Sequence, residues 1–372
     1  MEKVKEFLHR ETVLLVAWVL ALASMAAVPP DEGYLDYIDF RTLGLLFALM
    51  AVMAGLQGLG LFRHLGEALL ARTATTRQLE GALILLPFFT SMAVTNDVAL
   101  LTVVPFALEV LRLAGQHRRV IPVVAMQTIA ANLGSMATPI GNPQNLYLYS
   151  HYQLSLGTFF SVVLPLTAGA AVLLLVYLLL VKARPLSFAA PKSGWEALGG
   201  GKRLTMYLLL FLLSLGAVAR LLPVWAVCLL VLAGVLVSDR RVLGRVDWSL
   251  LLTFVGFFIF VGNLGRVPAL HDLLQRLLLG HEVMCAVLAC QALSNVPAAL
   301  LLSGFTDNGA ALVAGTNLGG LGTLIASMAS LISYKQIALH DAPLRWRYLG
   351  WFTLANLVFL GLLLGLYLLL HG

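Results

Sequence analysis

The chain has 372 residues, of which 60% are hydrophobic and only 11% are charged, and its mean hydropathy is +0.92. A soluble globular domain carries about 25% charged residues, because its surface has to be solvated. The composition therefore excludes a soluble fold and predicts an all-α polytopic membrane protein. In such a protein the net charge of +6 reports the topology of the loops, and we expect no nucleic-acid partner.

Eleven apolar runs predict the membrane-embedded elements. Two of them, residues 79–111 and 283–305, are interrupted by polar side chains and lie between charged segments. We interpret both as re-entrant helical hairpins, whose irregular backbone must be surrounded at membrane depth by protein or by a water-filled cavity. The nine other runs are interpreted as spans, the first of them uncleaved: 12–28, 40–62, 120–149, 156–181, 204–222, 223–237, 249–266, 309–334 and 348–370.

The distribution of Lys and Arg predicts the orientation of these spans. Basic residues flank the first hairpin on both sides and cluster again within 182–203, 240–245 and 335–347. The loop at residues 29–41 instead carries four acidic residues against one Arg. Because cytoplasmic loops are enriched in Lys and Arg, we expect a multi-pass protein of the inner (cytoplasmic) membrane with its N-terminus inside and its C-terminus outside.

The sequence also repeats itself in order. The segment from Asp39 aligns without gaps on the segment from Asp247, an offset of 208 residues (247 − 39). "TNDVALLTVVPF" aligns on "SNVPAALLLSGF" at an offset of 199, and "NLGSMATPIGNPQN" aligns on "NLGGLGTLIASMAS" at an offset of 185. The predicted crossings require opposite directions for the two copies, so we expect two inverted repeats, which are a signature of secondary transporters. Their predicted bounds are 1–183 and 204–372, joined by a cytoplasmic linker at 184–203.

Polar side chains occupy both predicted hairpins and both of the spans that Gly or Pro interrupts, 120–149 and 309–334. Pro139, Gly141 and Pro143 prevent a continuous helix in the first of these spans. Broken helices present N–H groups and positive dipole ends to an anion, whereas unwound carbonyls and Asn, Ser and Thr oxygens suit a hard cation such as Na⁺. The polar candidates for substrate or ion binding are Thr95, Asn96, Asp97, Asn132, Thr138, Asn142, Ser294, Asn295, Asn317, Thr323 and Ser327.

Each candidate also has a structural alternative, because Ser and Thr often bond to the backbone of their own membrane helix and Asn often joins helices. For Asn96 and Asn295, at matching hairpin positions, we favour a functional role. The case for Asp97 is stronger, because a carboxylate inside a membrane is unfavourable and no Lys or Arg falls at matching depth in any predicted span. These three residues are the candidate Na⁺ ligands. No phosphate-binding loop, zinc spacing or nucleophile motif is present, so we expect no enzyme and no cofactor beyond a coupling ion, Na⁺ or H⁺.

The stretch "ANLGSMATPIGNPQN" (131–145) resembles the broken helix of the ion transporter superfamily. That group includes divalent-anion/sodium symporters, citrate transporters, arsenite/antimonite permeases and D-type sodium/proton antiporters. "TND" at 95–97 and "SNV" at 294–296 occupy the places of the two Ser-Asn-Thr hairpin signatures of the dicarboxylate branch. The resemblance covers residues 38–370, and because dimers are common in the group it is compatible with a homodimer.

The resemblance also implies roles for individual residues. By position, one cation and substrate site contains Asn96, Thr138 and Gly141, and its inverted partner contains Asn295, Thr323 and Ser327. Two departures separate this chain from the dicarboxylate branch. Asp97 replaces the Thr of the first signature, and Val296-Pro297 replaces the Thr-Ala of the second. An Asn-Asp hairpin tip is more similar to the arsenite permease and antiporter branches.

Three functions remain open at this point. The leading one is a secondary transporter of a small organic or inorganic anion, or of a neutral oxyacid, coupled to Na⁺ or H⁺. The second is a Na⁺/H⁺ antiporter in which Asp97 is the exchange carboxylate, because burial favours a neutral carboxylic acid and a bound cation favours the carboxylate. The third, a membrane scaffold or a subunit of an ATP-driven complex, is disfavoured because two polar hairpins have no purpose in a scaffold.

Overall fold

The computed structural model of the chain describes residues 11–70, 73–186, 201–341 and 343–371. Over these ranges the chain is helical and contains no β-strand, which confirms the predicted all-α class. The extreme N-terminus and most of the predicted linker, residues 187–200, lie outside the described residues. The helix after that linker begins at residue 201, just inside the segment that the sequence assigned to the linker.

Eight α-helices precede the linker and nine follow it in the described residues. The first eight are α1 (Thr12–Ser24), α2 (Phe40–Gly58), α3 (Leu61–Leu70), α4 (Thr76–Thr90), α5 (Asn96–Leu113), α6 (Val120–Ser135), α7 (Pro143–His151) and α8 (Leu156–Leu180). The other nine are α9 (Gly201–Val218), α10 (Val224–Ser238), α11 (Trp248–Gly265), α12 (Pro268–Leu278), α13 (Glu282–Leu293), α14 (Asn295–Leu302), α15 (Gly309–Gly319), α16 (Met328–His340) and α17 (Leu344–His371).

Five of these helices, α2, α8, α9, α11 and α17, are long and apolar enough to cross a membrane. A sixth is counted if α12 and α13, which meet at an angle of 110°, form one bent element. Helices α1 and α10 are apolar but shorter, at 13 and 15 residues. The two spans predicted to be broken, 120–149 and 309–334, each consist of two short helices. Of the seven other predicted spans, five are long enough to cross a membrane, and the two that correspond to α1 and α10 are shorter.

The helix breaks have local causes. Asn142 precedes α7 in an extended conformation, and its Oδ1 accepts a hydrogen bond from the N–H of Asn145 at 2.8 Å, as an N-cap residue does. Pro143 follows at the first helical position, where its missing N–H leaves no intrahelical bond unmade. The second predicted hairpin breaks at a single residue, Ser294, whose φ of +77° lies in the left-handed region that a non-glycine residue rarely adopts.

Two amphipathic helices, α3 and α12, were not predicted. The predicted span 40–62 was wrong at its end, since α2 stops at Gly58 and α3 begins at Leu61. Gly60, with φ of +76°, makes the turn between them at no steric cost. Helix α12 follows α11 at the corresponding place and exposes Leu273 and Leu277. Both helices are too short, and α12 too polar, to stand out among apolar runs.

Helices α1 and α10 each pack against a helix of the other half of the chain. In α1, Trp18 donates from Nε1 to the carbonyl oxygen of Leu252 in α11 at 3.2 Å. In α10, Cys228 donates from Sγ to the carbonyl oxygen of Gly44 in α2, also at 3.2 Å. The two acceptors are 208 residues apart (252 − 44), the same offset as the sequence repeat around them.

Candidate functional site

A backbone hydrogen bond joins each predicted hairpin to a broken span. The N–H of Asn96, the first residue of α5, donates to the carbonyl oxygen of Gly141 at 3.2 Å. The N–H of Asn295, the first residue of α14, donates to the carbonyl oxygen of Ala326 at 3.0 Å. The donors are 199 residues apart (295 − 96) and the acceptors 185 (326 − 141), the offsets of the corresponding sequence repeats. In each half, a helix N-terminus therefore meets the unwound segment of a broken helix.

A second pair of contacts joins the same segments one turn away. Thr138 donates from Oγ1 to the carbonyl oxygen of Met92 at 2.5 Å, and Thr323 donates from Oγ1 to that of Gln291 at 3.4 Å. The two donors are 185 residues apart (323 − 138) and the two acceptors 199 (291 − 92), which are the same two offsets. Within the described residues neither hydroxyl contacts the amides described next, and Thr323 is exposed. Each hydroxyl therefore bonds an unwound segment to the backbone of a predicted hairpin, and the ligand role of both residues stays a prediction.

Three predicted site residues meet at the amide of Asn132 in α6. Its Oδ1 accepts from Nδ2 of Asn96 at 2.8 Å and from Oγ of Ser327 at 3.1 Å, and all three residues are buried. Its Nδ2 donates to the carbonyl oxygen of Gly320 at 3.4 Å. The Nδ2 of Asn295 lies beside Gly320, 3.3 Å from the point where a Cβ would stand. Residues of both halves thus converge on one buried amide.

A second group of amides lies on the other side of the first break. Asn142 donates from Nδ2 to Oδ1 of Asn317 at 3.0 Å and to Oγ of Ser135 at 3.2 Å. Asn317 donates from its own Nδ2 to Oδ1 of Asn145 at 2.5 Å. These contacts bring two predicted site residues, Asn142 and Asn317, together across the halves of the chain.

Two members of this group, Asn145 and Ser135, were not among the predicted site residues. Asn145 donates from Nδ2 to the carbonyl oxygens of Met136 at 3.3 Å and Thr138 at 3.2 Å, and so satisfies the end of α6. Gln291 acts similarly at the end of α15, donating to the carbonyl oxygens of residues 319 and 321 at 2.9 and 3.0 Å. Asn145 and Ser135 could have been predicted as site residues from their position within the stretch 131–145.

Two glycines permit the backbone to approach this closely. A Cβ at Gly141 would lie 2.0 Å from the carbonyl oxygen of Ser135, across the break itself. A Cβ at Gly134 would lie 2.0 Å from the carbonyl oxygen of Phe88, where α4 and α6 touch. Both separations are far below any real contact, so only glycine fits at either position without a backbone shift.

Asp97 is the acidic member of the predicted set. Its Oδ1 is shielded from solvent and has no hydrogen-bond partner within the described part of the chain, while its N–H donates to Oδ1 of Asn96 at 3.0 Å. The corresponding residue of the second half is Val296, whose N–H donates to Oδ1 of Asn295 at 2.9 Å. The side chain of Thr95 makes no capping hydrogen bond to the helix that starts after it. The chain thus leaves a buried carboxylate oxygen open to a proton or a cation at only one of the two corresponding positions.

Besides the Asp97 carboxylate, helix ends contribute partial charges to the site. The N-termini of α5, α7, α14 and α16 meet here through the contacts described above, and each contributes partial positive charge that favours an anion. Among the described residues, no Lys or Arg side chain donates to any of the predicted site residues. The arrangement suits a ligand bound through amides, hydroxyls and helix ends.

A hard cation has a different set of ligands available. No group of three or more His, Cys, Asp or Glu within the described residues could hold a metal ion. The Oδ1 of Asn96 accepts from the N–H of Asp97, and an amide oxygen has a second lone pair for a cation. The Oδ1 of Asn295 accepts from the N–H of Val296 at 2.9 Å and also from the hydroxyl of Ser294, another predicted site residue, at 3.4 Å. Together with the open Oδ1 of Asp97, these oxygens are of the kind that binds Na⁺ in broken-helix transporters.

Comparison with known proteins gives a consistent result. A family model for citrate transporters matches residues 1–329. Inner membrane protein YbiR of Escherichia coli K12 is 33% identical over 327 residues, which are 84% of this chain and 83% of that protein. An uncharacterised transporter of Methanocaldococcus jannaschii is 30% identical over 326 residues, which are 87% of this chain and 88% of that protein. The silicon efflux transporter LSI3 of rice, Oryza sativa subsp. japonica, is 36% identical over 152 residues, which are 41% of this chain and 31% of that protein.

Proposed function

The chain belongs to the citrate transporter family, and we propose that it moves a small anion or oxyacid across the cytoplasmic membrane in exchange for, or together with, Na⁺ or H⁺. Membership of the family makes it an integral membrane transporter and not an enzyme. The proposal of a small anion or oxyacid as substrate, with a coupling ion, rests on two backbone hydrogen bonds, from Asn96 to Gly141 and from Asn295 to Ala326. They join two helix N-termini to two unwound segments.

The proposed architecture is two inverted repeats, residues 1–183 and 204–372, with a linker at 184–203. It is supported by equivalent hydrogen bonds in the two halves, whose residues are separated by the same offsets as the sequence repeats around them. The matching N-caps support it as well, since Asp39 and Asp247 each accept from the N–H three residues later at 2.9 Å. The five long helices, two shorter apolar helices and two broken spans make up the nine proposed crossings. The elements α4–α5 and α13–α14 are then the re-entrant hairpins.

The proposed orientation follows the basic loops, with the N-terminus in the cytoplasm and the C-terminus outside. The inner membrane is supported by the name of the Escherichia coli relative. We propose a homodimer as the functional assembly, in line with the wider superfamily.

In this proposal the substrate site is formed by the two clusters of side-chain amides described above, one around Asn132 and one around Asn142 and Asn317. Hydrogen-bond donors and acceptors without a fixed positive charge are offered by Asn96, Asn132, Asn295 and Ser327. The helix N-termini supply further N–H donors and partial positive charge. A site of this composition suits a small hydroxylated acid, neutral or singly charged, better than a highly charged carboxylate. The resemblance of part of the chain to a silicon efflux transporter supports the same class of substrate.

Asp97 is the proposed coupling residue. Its open Oδ1 can take a proton or, with the oxygens of Asn96 and Asn295, complete a Na⁺ site. The same feature supports the second candidate, a Na⁺/H⁺ antiporter in which Asp97 exchanges the two ions and no anion is carried.

Transport into proteoliposomes tests both candidates. Purified protein is reconstituted, a Na⁺ or pH gradient is imposed, and uptake of arsenite, silicic acid and citrate is measured. Gradient-dependent uptake supports the permease, whereas Na⁺-driven proton movement without any of these substrates supports the antiporter. Asp97→Asn should abolish gradient-driven accumulation, and Asp272→Asn, at an exposed acid on α12, should not. Full accumulation by the Asp97 variant would contradict the coupling role.

A further inference from the structure

A small pocket lies at the beginnings of two helices, away from the amide groups. It has a volume of about 370 Å³, and it is lined by His117, Arg118, Ile121, Leu344 and Arg347. Ile121 lies in the first turn of α6, and Leu344 and Arg347 lie in the first turn of α17. The positive ends of both helix dipoles therefore add to the charge of the basic side chains around the pocket.

The described part of the chain provides no carboxylate partner for the two pocket-lining arginines. Among the three consecutive basic residues 117–119, Arg119 is engaged, since it holds Glu80 through two bonds of 2.5 and 2.6 Å. Within the described residues, neither Arg118 nor Arg347 makes a hydrogen bond or ion pair. Two guanidinium groups and an imidazole that share a pocket without a carboxylate are arranged for an external anion.

The surroundings indicate that the pocket lies at the level of the lipid headgroups. Trp346, in the same turn of α17, is 66% exposed, and the guanidinium of Arg345 lies 5.4 Å from its ring centroid. Exposed Trp beside Arg at the start of an apolar helix is typical of the membrane–water interface. Ile121 and Leu344 supply an apolar wall next to the basic groups. Both flanking loops are among those predicted to face the cytoplasm, where the leaflet is anionic.

We propose that this pocket binds a phosphate group presented by an anionic phospholipid of the cytoplasmic leaflet. The basic side chains and helix ends would hold the phosphate, and the apolar wall would take the start of an acyl chain. A free phosphate ion offers the same charge but makes no use of the apolar wall, so the lipid is the favoured source. The site is separate from the proposed transport site, and its existence does not depend on the substrate.

Native mass spectrometry of the detergent-purified full chain tests the proposal. Wild type and the double variant Arg118→Gln/Arg347→Gln are titrated with phosphatidylglycerol, with phosphatidylcholine and with inorganic phosphate. Wild type should bind phosphatidylglycerol in preference to phosphatidylcholine. Because an interfacial Lys or Arg contributes about 1 kcal/mol to anionic lipid binding, the double variant should bind about 30-fold more weakly. Inorganic phosphate at millimolar concentration should compete with phosphatidylglycerol.

Arg345→Gln is the matched control, because it removes one positive charge from the same turn but does not line the pocket. It should leave the preference for phosphatidylglycerol unchanged, and gel filtration should show all variants to be folded. Equal binding by the double variant and Arg345→Gln would overturn the proposal. Binding of inorganic phosphate without any preference for phosphatidylglycerol would overturn the lipid as its source.

Discussion

The Nδ2 of Asn317 lies 2.5 Å from the Oδ1 of Asn145, so an amide from the second half of the chain completes the hydrogen bonding of an amide from the first. Asn317→Ala removes this donor and also the Oδ1 that accepts from Asn142. Each buried polar group left unpaired costs about 1–3 kcal/mol. We expect a lower unfolding temperature in detergent and a loss of most transport in proteoliposomes.

The control for this prediction is Asn356→Ala. Asn356 is also fully buried, but among the described residues its side chain bonds only within its own helix, α17, where Nδ2 donates to the carbonyl oxygen of Phe352 at 2.9 Å. Its removal should leave transport near the wild-type rate. Equal transport by the Asn317 and Asn356 variants would show that the amides across the halves have no special role.

Gly134→Ala should be strongly destabilising. The new Cβ would stand 2.0 Å from the carbonyl oxygen of Phe88, a backbone atom that cannot rotate away, so α4 and α6 must separate. Overpacking of this kind costs typically about 1–3 kcal/mol, and backbone contact places it at the upper end. Gly319→Ala meets the side chain of Cys290 first, at 2.8 Å, and should be milder.

The same substitution at Gly361 provides the reference, because a Cβ there meets nothing within 4 Å. Thermal unfolding of the three variants, followed by fluorescence-detected gel filtration, should therefore rank Gly361→Ala above Gly319→Ala and Gly134→Ala last. A Gly134 variant as stable as the Gly361 variant would contradict the close contact of α4 with α6.

The positions of the breaks and of Asp97 could be read from the sequence, because Pro143 and an acid among aliphatic residues are unambiguous locally. The hydrogen-bond partners of each side-chain amide could not be predicted from the sequence. Asn132 bonds to Ser327, 195 residues away, and such a choice depends on how helices pack rather than on any pattern within them. The contacts of the Thr138 and Thr323 hydroxyls with the backbone could not be predicted for the same reason, and the ligand roles of these two residues stay predictions.

Glu80 and Arg119 form the next test. The carboxylate is 2% exposed and accepts two bonds from a guanidinium that is 34% exposed. Arg119→Ala leaves this carboxylate buried without its counter-ion, which costs about 3–5 kcal/mol for a fully buried pair and less here because Arg119 is partly solvated. Adding Glu80→Gln to that variant should recover part of the lost unfolding temperature. If the double variant is no more stable than Arg119→Ala, the pair contributes little.

Arg220 offers the last test, because its clamping contacts and its backbone strain can be separated. The residue lies between α9 and α10 with φ of +63°, and its guanidinium donates to the carbonyl oxygens of Tyr149, Gln153 and Leu154 at 3.2 to 3.3 Å. Both Arg220→Ala and Arg220→Gly lose these bonds, but only Gly relieves the left-handed strain, which is worth about 1 kcal/mol. Unfolding temperatures should therefore fall in the order wild type, Arg220→Gly, Arg220→Ala. If the Gly variant unfolds above wild type, the strain outweighs the hydrogen bonds and the guanidinium does not hold the end of α7.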